Sequence, residues 1–407
     1  MILSFKVENF RSIKESLEIK LTTEKRLKEK DLSENTFEQN GHEFVKSLLL
    51  YGRNASGKSN VLNALTALRI LVISSNYFRH EDLIQYYEPF LFDENYKNKP
   101  VKFELNFISN QIKYRYTILF IQKEIIYESL YFYPSKVKAK LFERKKNKIT
   151  YGDYYKGTKK RIEDDLLQNQ LFLSKSASSN VKYLNECYLY FFSSFSVFTI
   201  HDTAVDNMLI AAVAEDLLKY NIYKQNLLEL LKAGDTSIQD FKIKKYDKDK
   251  YEILTKHNVY KNGKEVSHTH LDFENESLGT KKLFLLGSIV LATLNIGGIA
   301  IIDELDKGLH PLLSKMLIKL FNSKKNNPNN AQLLFATHDS TLLDLEDIRR
   351  DQVCFIDKEF EGNSICYKLS DIKGVRKDIP IDKWYLSGRF SAIPVITEPN
   401  LNFKSND

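Results

Sequence analysis

Apolar positions recur along this chain with more than one period, and each period predicts a different element. Near the start the spacing is two: Phe5 and Val7, then Leu17, Ile19 and Leu21, separated by Asn9-Phe10-Arg11-Ser12. Two antiparallel strands follow from that alternation. Residues 22–43 are charged and polar and read as a loop. Leu48–Tyr51 is a continuous apolar run, as expected of a strand buried on both faces. Val61-Leu62-Asn63-Ala64-Leu65 then opens a helical pattern that reaches about Ser75. From Val101 the period of two returns. Val101, Phe103, Leu105 and Phe107 form one run and Tyr114, Tyr116, Ile118 and Phe120 the next, with a turn at Ser109-Asn110. Ile125–Tyr133 reads as a third strand, so this region is an antiparallel meander.

Residues 162–235 read as mostly helical. Val205–Leu231 places Leu209, Val213, Leu217 and Leu218 on one face, with Gly234 as the stop. Asn262-Gly263 marks a hairpin turn. Leu283–Ile302 carries no charge and is long enough to span a bilayer. Asn295-Ile-Gly-Gly298 interrupts it, however, and Asp303-Glu304 follows at once, so the expectation is a buried helix, a turn and a buried strand, with no membrane span. Gln332–Thr337 reads as a further strand, ending in His338-Asp339. Heptads sustained over three repeats do not occur, so no long coiled coil is expected.

Composition narrows this only a little. The 407 residues are 43 % hydrophobic, enough for two or three structural units or one large interrupted domain. The net charge of +7 is mildly basic and compatible with nucleic acid without requiring it. Cys187, Cys354 and Cys366 form no C-x-x-C pair, which argues against a zinc site or disulfide framework and for a reducing cytoplasm. Ser4, Lys6 and Glu8 interrupt any signal-type opening.

The chemistry concentrates where the apolar run ends. Gly52-Arg53-Asn54-Ala55-Ser56-Gly57-Lys58-Ser59 fits G-x-x-x-x-G-K-[ST] and lies between a strand and a helix, the context that separates a phosphate loop from a glycine-rich turn. Gly52 and Gly57 let successive N–H groups point at phosphate oxygens, and the following helix, from Asn60 on, adds its positive end. Lys58 is then expected on the β/γ-phosphates and the Ser59 hydroxyl on Mg²⁺. These features predict a nucleoside triphosphate site.

Gly298–Asp306, GIAIIDELD, is an apolar strand ending in acids. Asp303 would hold the magnesium shell and Glu304 would polarise the attacking water. Ser277 and Gly279, in Glu276-Ser277-Leu278-Gly279-Thr280-Lys281-Lys282, open an apolar helix. They read either as a second phosphate-cradling terminus or as a plain cap, since Ser is a good N-cap residue. His338 could sense the γ-phosphate from its strand end. His310-Pro311 reads as a structural helix start. Lys136–Lys148 carries seven basic residues among Tyr133, Phe142, Tyr151, Tyr154 and Tyr155, and suits either nucleic-acid tracking or a solvated hairpin.

Taken in order, YGRNASGKS, ESLGTKK, IIDELD and ATHDS resemble the Walker A, signature, Walker B with D-loop, and switch histidine of ABC-type ATPases of the RecF/SMC/OLD group. The opening FKVENFRSIKE resembles that group's first strand pair. Within the group the chain is similar to compact ATPases of phage-defence modules of the RloA, AbiL and AriA kinds, whose tail Trp384–Pro394 resembles. The signature departs from L-S-G-G-Q, and Gln85 is the candidate for the Q-loop glutamine.

The resemblance implies an α/β ABC-type P-loop head with an antiparallel β subdomain and a mostly helical insertion. The expected division is 1–100 and 265–375 as the two parts of the head, 101–160 as the β subdomain, 161–264 as the insertion and 376–407 as the tail. It further implies ATP and Mg²⁺ as cofactors, a homodimer or higher oligomer with Ser277 and Gly279 acting in trans, and cytoplasmic location. About 70 residues follow His338, too few for a Toprim nuclease plus the tail. Asp344, Glu346 and Asp347 fit a solvated helix or loop better than a metal site. A separate Toprim or RloB-like effector nuclease is therefore the expected partner, with a RecF-like DNA-repair ATPase as the alternative.

Overall fold

The computed structural model describes residues 1–393 except 28, 136, 199–206, 236, 248–249 and 377–378. The chain opens with β1 (Ile2–Glu8) and β2 (Leu17–Lys20), a small hairpin of β3 (Thr36–Gln39) and β4 (His42–Val45), and then β5 (Ser47–Tyr51) leading into α1 (Lys58–Ser74). The meander follows as β6 (Val101–Ser109), β7 (Ile112–Phe120), β8 (Ile125–Tyr133), β9 (Ala139–Lys145) and β10 (Lys148–Tyr151). Next come α2 (Lys160–Asp164), α3 (Phe172–Lys175), α4 (Lys182–Ser193), β11 (Phe195–Phe198), α5 (Asn207–Lys219) and α6 (Asn221–Gly234). A three-stranded sheet of β12 (Ile238–Asp247), β13 (Lys250–Lys261) and β14 (Lys264–Asp272) leads to α7 (Leu278–Ile296). The last part holds β15 (Ile299–Ile302), α8 (Pro311–Asn322), β16 (Gln332–Ala336), β17 (Val353–Lys358), β18 (Ser364–Lys368) and α9 (Ile381–Leu386).

Two large sheets organise these elements. The antiparallel one runs β10-β9-β8-β7-β6-β1-β2, so the N-terminal strand pair completes the meander. The other runs β11-β15-β16-β5-β17-β18 and is parallel except at β18. Helix α1 lies between them and is buried nearly all round, at Val61, Leu62, Ala64, Leu65, Leu68, Leu71 and Val72. Burying each of its leucines contributes about 2 kcal/mol relative to exposure. The opposite face of the parallel sheet is covered by α7 and α8, through Phe284, Leu286, Val290, Leu317 and Phe321. The whole is a mixed α/β head, and no long coiled coil occurs among the described residues.

Several expectations need correction. Residues 22–43 are not plain loop: β3 and the first half of β4 lie there, and the hairpin they form stacks Phe37 on Phe44 at 5.0 Å. The β6–β7 turn is Asn110-Gln111 rather than Ser109-Asn110, because both adopt the left-handed backbone a two-residue turn requires. The single helix expected over Val205–Leu231 is two, broken at Tyr220, with residues 205–206 outside the described set. Val213 and Leu217 are buried, whereas Leu218 faces solvent; the side chain of Leu209 lies outside the described set. Besides its helices, the 161–264 segment holds β11, β12 and β13, and β11 extends the parallel sheet beside β15. The Asn262-Gly263 hairpin turn is present, with φ of 52° and 77°.

The apolar stretch after Leu283 is α7, a left-handed Gly297 at its C-cap, and β15. Helix α7 is long and apolar enough to cross a membrane by composition, and 56 % of its most apolar window is buried within the fold. His310 caps α8 with Pro311 at its first turn, as expected of a structural start.

Candidate functional site

Strands β15, β16 and β5 are neighbours and run parallel, so their C-terminal ends lie side by side. Ligands of open α/β sheets bind at such ends. The chain puts Asp303-Glu304 after β15, His338 after β16 and the phosphate loop after β5, and thereby assembles one site from three distant segments. Between them opens a cleft of about 760 Å³ lined by Asn54, Ala55, Ser56, Gly57, Lys58, Ser59, Asn60, Glu304, Asp306, Lys307 and His338, with Ser12 and Lys358 on its wall.

The loop is shaped by close approach. A Cβ on Gly52 would sit 2.1 Å from the Ile356 carbonyl oxygen, and one on Gly57 would sit 2.2 Å from Ser364 Oγ. A side chain at Gly52 would have to move the β17 backbone, and one at Gly57 would have to displace the Ser364 and Ser12 hydroxyls. Gly57 is left-handed at φ 108° and heads α1 with no side-chain cap. The first N–H groups of α1 are therefore free to bind an anion. Asn60 Nδ2 donates to Ser12 Oγ at 2.7 Å, and Ser12 Oγ lies 2.7 Å from Ser364 Oγ, which pins the start of α1 to both sheets. Arg53 does not line the cleft and donates to the Lys358 carbonyl oxygen at 2.7 Å.

Lys58 is only 5 % exposed, and its ammonium donates to the carbonyl oxygens of Gly52 at 2.7 Å and Arg53 at 3.1 Å. Burial pushes its pKa down to about 8, against the pull of Asp303, Asp306 and Glu304. A buried cation facing three carboxylates across a cleft suits a polyphosphate accompanied by a metal ion. Asp303 Oδ1 and Asp306 Oδ1 are buried without a hydrogen-bond partner. With Ser59 lining the cleft, they supply the hard oxygen donors that Mg²⁺ takes, so the residues fit that ion.

Glu304 is a non-glycine residue at φ 52°, the kind of local strain that collects at functional sites. Its Oε2 lies 3.3 Å from Lys307 Nζ. His338 is held below the usual imidazole pKa by partial desolvation and then by the charge of Lys58, which keeps it neutral at pH 7. Its backbone N–H donates to Asp306 Oδ2 at 3.4 Å.

Ser277 and Gly279 are not in this cleft. Ser277 is the N-cap of α7 and accepts from Thr280 N at 3.0 Å, so the capping reading describes its contacts within the chain. Ser277 is nevertheless exposed, and Leu278 beside it is 78 % exposed. Gln85 is exposed and does not line the cleft. Asp344 and Asp347 pair with Lys315, at 2.9 and 2.5 Å, and no group of three or more His, Cys, Asp or Glu side chains placed to hold a metal by themselves occurs among the described residues.

The basic stretch also resolves. Lys136 lies outside the described residues, and β9 and β10 form the hairpin. Arg144 is 1 % exposed, with its guanidinium on the carbonyl oxygens of Lys146 and Gln170 and 3.8 Å from the buried Glu128. Glu128 in turn accepts from the N–H groups of Phe172 and Leu173 at the start of α3. Tyr155 is buried and Tyr151 packs against it and Phe172, so neither ring is presented for stacking on a base. The tail Trp384–Pro394 begins in the second half of α9, with Pro394 outside the described residues. Tyr385 packs on Tyr51 at 5.7 Å, and Arg389 stacks over Trp384 at 4.3 Å.

Reading from sequence misses Ser12, Asp306, Lys307 and Lys358 as cleft residues. Ser12 and Asp306 sit inside segments that carry the resemblance, whereas nothing local marks Lys358.

Among curated proteins, none matches the chain. A crystal structure of the SmcHead bound to the C-winged helix domain of ScpA superposes over 90 % of this chain and 97 % of that one, at 13 % identity and a TM-score of 0.46. The family described as "AAA domain, putative AbiEii toxin, Type IV TA system" matches residues 47–344, from β5 through the phosphate loop to the segment beyond His338. That match spans well over half of the chain, which therefore belongs to this AAA-domain family.

Proposed function

We propose that this protein is an ATP-binding and ATP-hydrolysing switch subunit of an anti-phage defence module, acting on a separate effector nuclease of Toprim or RloB-like type. The observation that carries the reading is the division of the site. Lys58, Ser59, Glu304 and His338 share one cleft, while Ser277 and Gly279 stand outside it at the start of α7, where Ser277 is exposed and Gly279 half-buried. Two copies related by a two-fold axis would complete each other's sites, with Ser277 and Gly279 of one head closing over the nucleotide of the other.

In this reading the α1 N–H groups and Lys58 bind the β- and γ-phosphates. Mg²⁺, held by Asp303 and Ser59, would supply positive charge against the phosphates. Glu304 orients the attacking water and accepts its proton, after its carboxylate leaves Lys307. Neutral His338 donates toward the γ-phosphate. Because the γ-phosphate would touch both heads, ATP favours the closed dimer and hydrolysis releases it. The family description, which links an AAA domain to the AbiEii toxin and type IV toxin–antitoxin systems, supports placing the switch in defence.

The test is purification from the native host with ATP and Mg²⁺ present, followed by mass spectrometry and ATPase assay. ATP turnover with a stoichiometric nuclease-like partner is the expected result. Turnover with repair or replication proteins bound instead would overturn the defence assignment, and absence of turnover would overturn the ATPase.

A further inference from the structure

Lys282 lies on α7 just beyond Gly279, and its Nζ donates to the backbone carbonyl oxygen of Glu304 at 3.2 Å. That oxygen already accepts a turn bond from Lys307 N at 3.1 Å. The carbonyl is therefore satisfied without Lys282, and satisfying an orphan acceptor does not account for the contact. The lysine is largely withdrawn from solvent, which lowers its pKa to about 8 despite Asp306 and Glu304 nearby. An ammonium-to-carbonyl bond made in such surroundings is stronger than a neutral one.

The same two segments touch at a second place. A Cβ on Gly279 would lie 3.5 Å from the Gly308 carbonyl oxygen, and one on Gly308 would lie 3.8 Å from Lys282 Cδ. The start of α7 and the 304–308 turn are thus packed together within one chain. Glu304 is held at both ends: Lys307 pairs with its carboxylate, and Lys282 grips its left-handed peptide.

We infer that Lys282 is a positioning residue for Glu304, tying the helix end that faces the partner's nucleotide to the peptide that carries this chain's own water-activating carboxylate. Engagement of Ser277 and Gly279 at one ATP then sets the geometry of Glu304 at the other. This rests on the ATP-sandwich reading above.

The experiment compares Lys282→Met and Lys282→Arg in the full chain, reading kcat, KM, ATP affinity and melting temperature. The Met variant is expected to lose about tenfold or more in kcat, with ATP affinity and melting temperature close to wild type, and Arg is expected to restore most of the rate. Mixed dimers locate the effect. Lys282→Met and Glu304→Gln carried on the same chain should leave the other chain's site working, whereas one defect on each chain should disable both. Wild-type turnover in the Met variant, or loss of affinity and stability in step with kcat and no rescue by Arg, would overturn the inference. A wild-type protein without turnover would instead remove the ATPase reading beneath it.

Discussion

The Tyr51 hydroxyl donates to the Asp339 carbonyl oxygen at 3.1 Å, joining the last residue before the phosphate loop to the residue after His338. The ring of Tyr51 is fully buried against Phe355 and Tyr385, so β5, the His338 segment and the tail helix α9 meet on one side chain. Tyr51→Phe keeps the packing and removes the bond. We expect a stability loss of about 1 kcal/mol and a fall in kcat of up to about fivefold, with ATP affinity unchanged. Steady-state kinetics beside urea denaturation would check both.

Lys58 and Glu304 should separate binding from chemistry. Lys58→Ala leaves the cleft's carboxylates without their buried cation, so tight ATP binding should be lost; unchanged affinity by calorimetry would remove the Walker A assignment. Glu304→Gln keeps the shape of the side chain but cannot take a proton. It should bind ATP, turn over slowly and accumulate a closed dimer or larger species in light scattering, and wild-type turnover would exclude Glu304 from its role.

The buried Arg144–Glu128 pair predicts how the basic hairpin responds to mutation. Arg144→Ala strands Glu128 in the core and should cost about 3–5 kcal/mol. Lys145 and Lys146 are exposed and pair with the half-buried Glu143 and Glu124, so alanine there should cost at most about 0.5 kcal/mol. A triple variant that includes Arg144 therefore tests folding before it tests DNA binding. If the hairpin reads DNA directly, Lys145 and Lys146 changed together should flatten the salt dependence of binding; an unaltered slope would count against that role.

Lys58 and Lys282 give stability a pH dependence of definite sign. Each has a folded pKa near 8, depressed from the ordinary 10.5. Between those values the unfolded chain binds more protons, so these two groups make stability rise with pH across the window, and their contribution is lost as pH falls through 8. Denaturation of the nucleotide-free protein at pH 7.5 and 9.5, compared with a Lys58→Met/Lys282→Met variant, should show the smaller rise in the variant. An equal rise would mean that neither lysine is depressed.

Much of this protein is written locally. A strand, a glycine-bounded loop and a helix in succession predict a phosphate site, because the loop's N–H groups and the helix end come from contiguous residues. The meander is legible for the same reason: β6, β7 and β8 pair with their sequence neighbours, and a period of two records which face each residue buries. What the sequence does not determine is the company each segment keeps across long separations. The order β15-β16-β5, which sets Asp303, His338 and Lys58 at one edge, follows from packing of the sheet against α1 and α7. So does the place of β11, whose short run carries no mark of sheet membership. Charge is read worst. Arg144 and Lys145 look alike in a basic run, yet one is buried on a carboxylate and the other is solvated, since only the folded chain decides which cation loses its water. The left-handed Glu304 and its two lysines belong to the same class, because backbone strain and its compensation exist only once the strand end, the turn and α7 have been brought together.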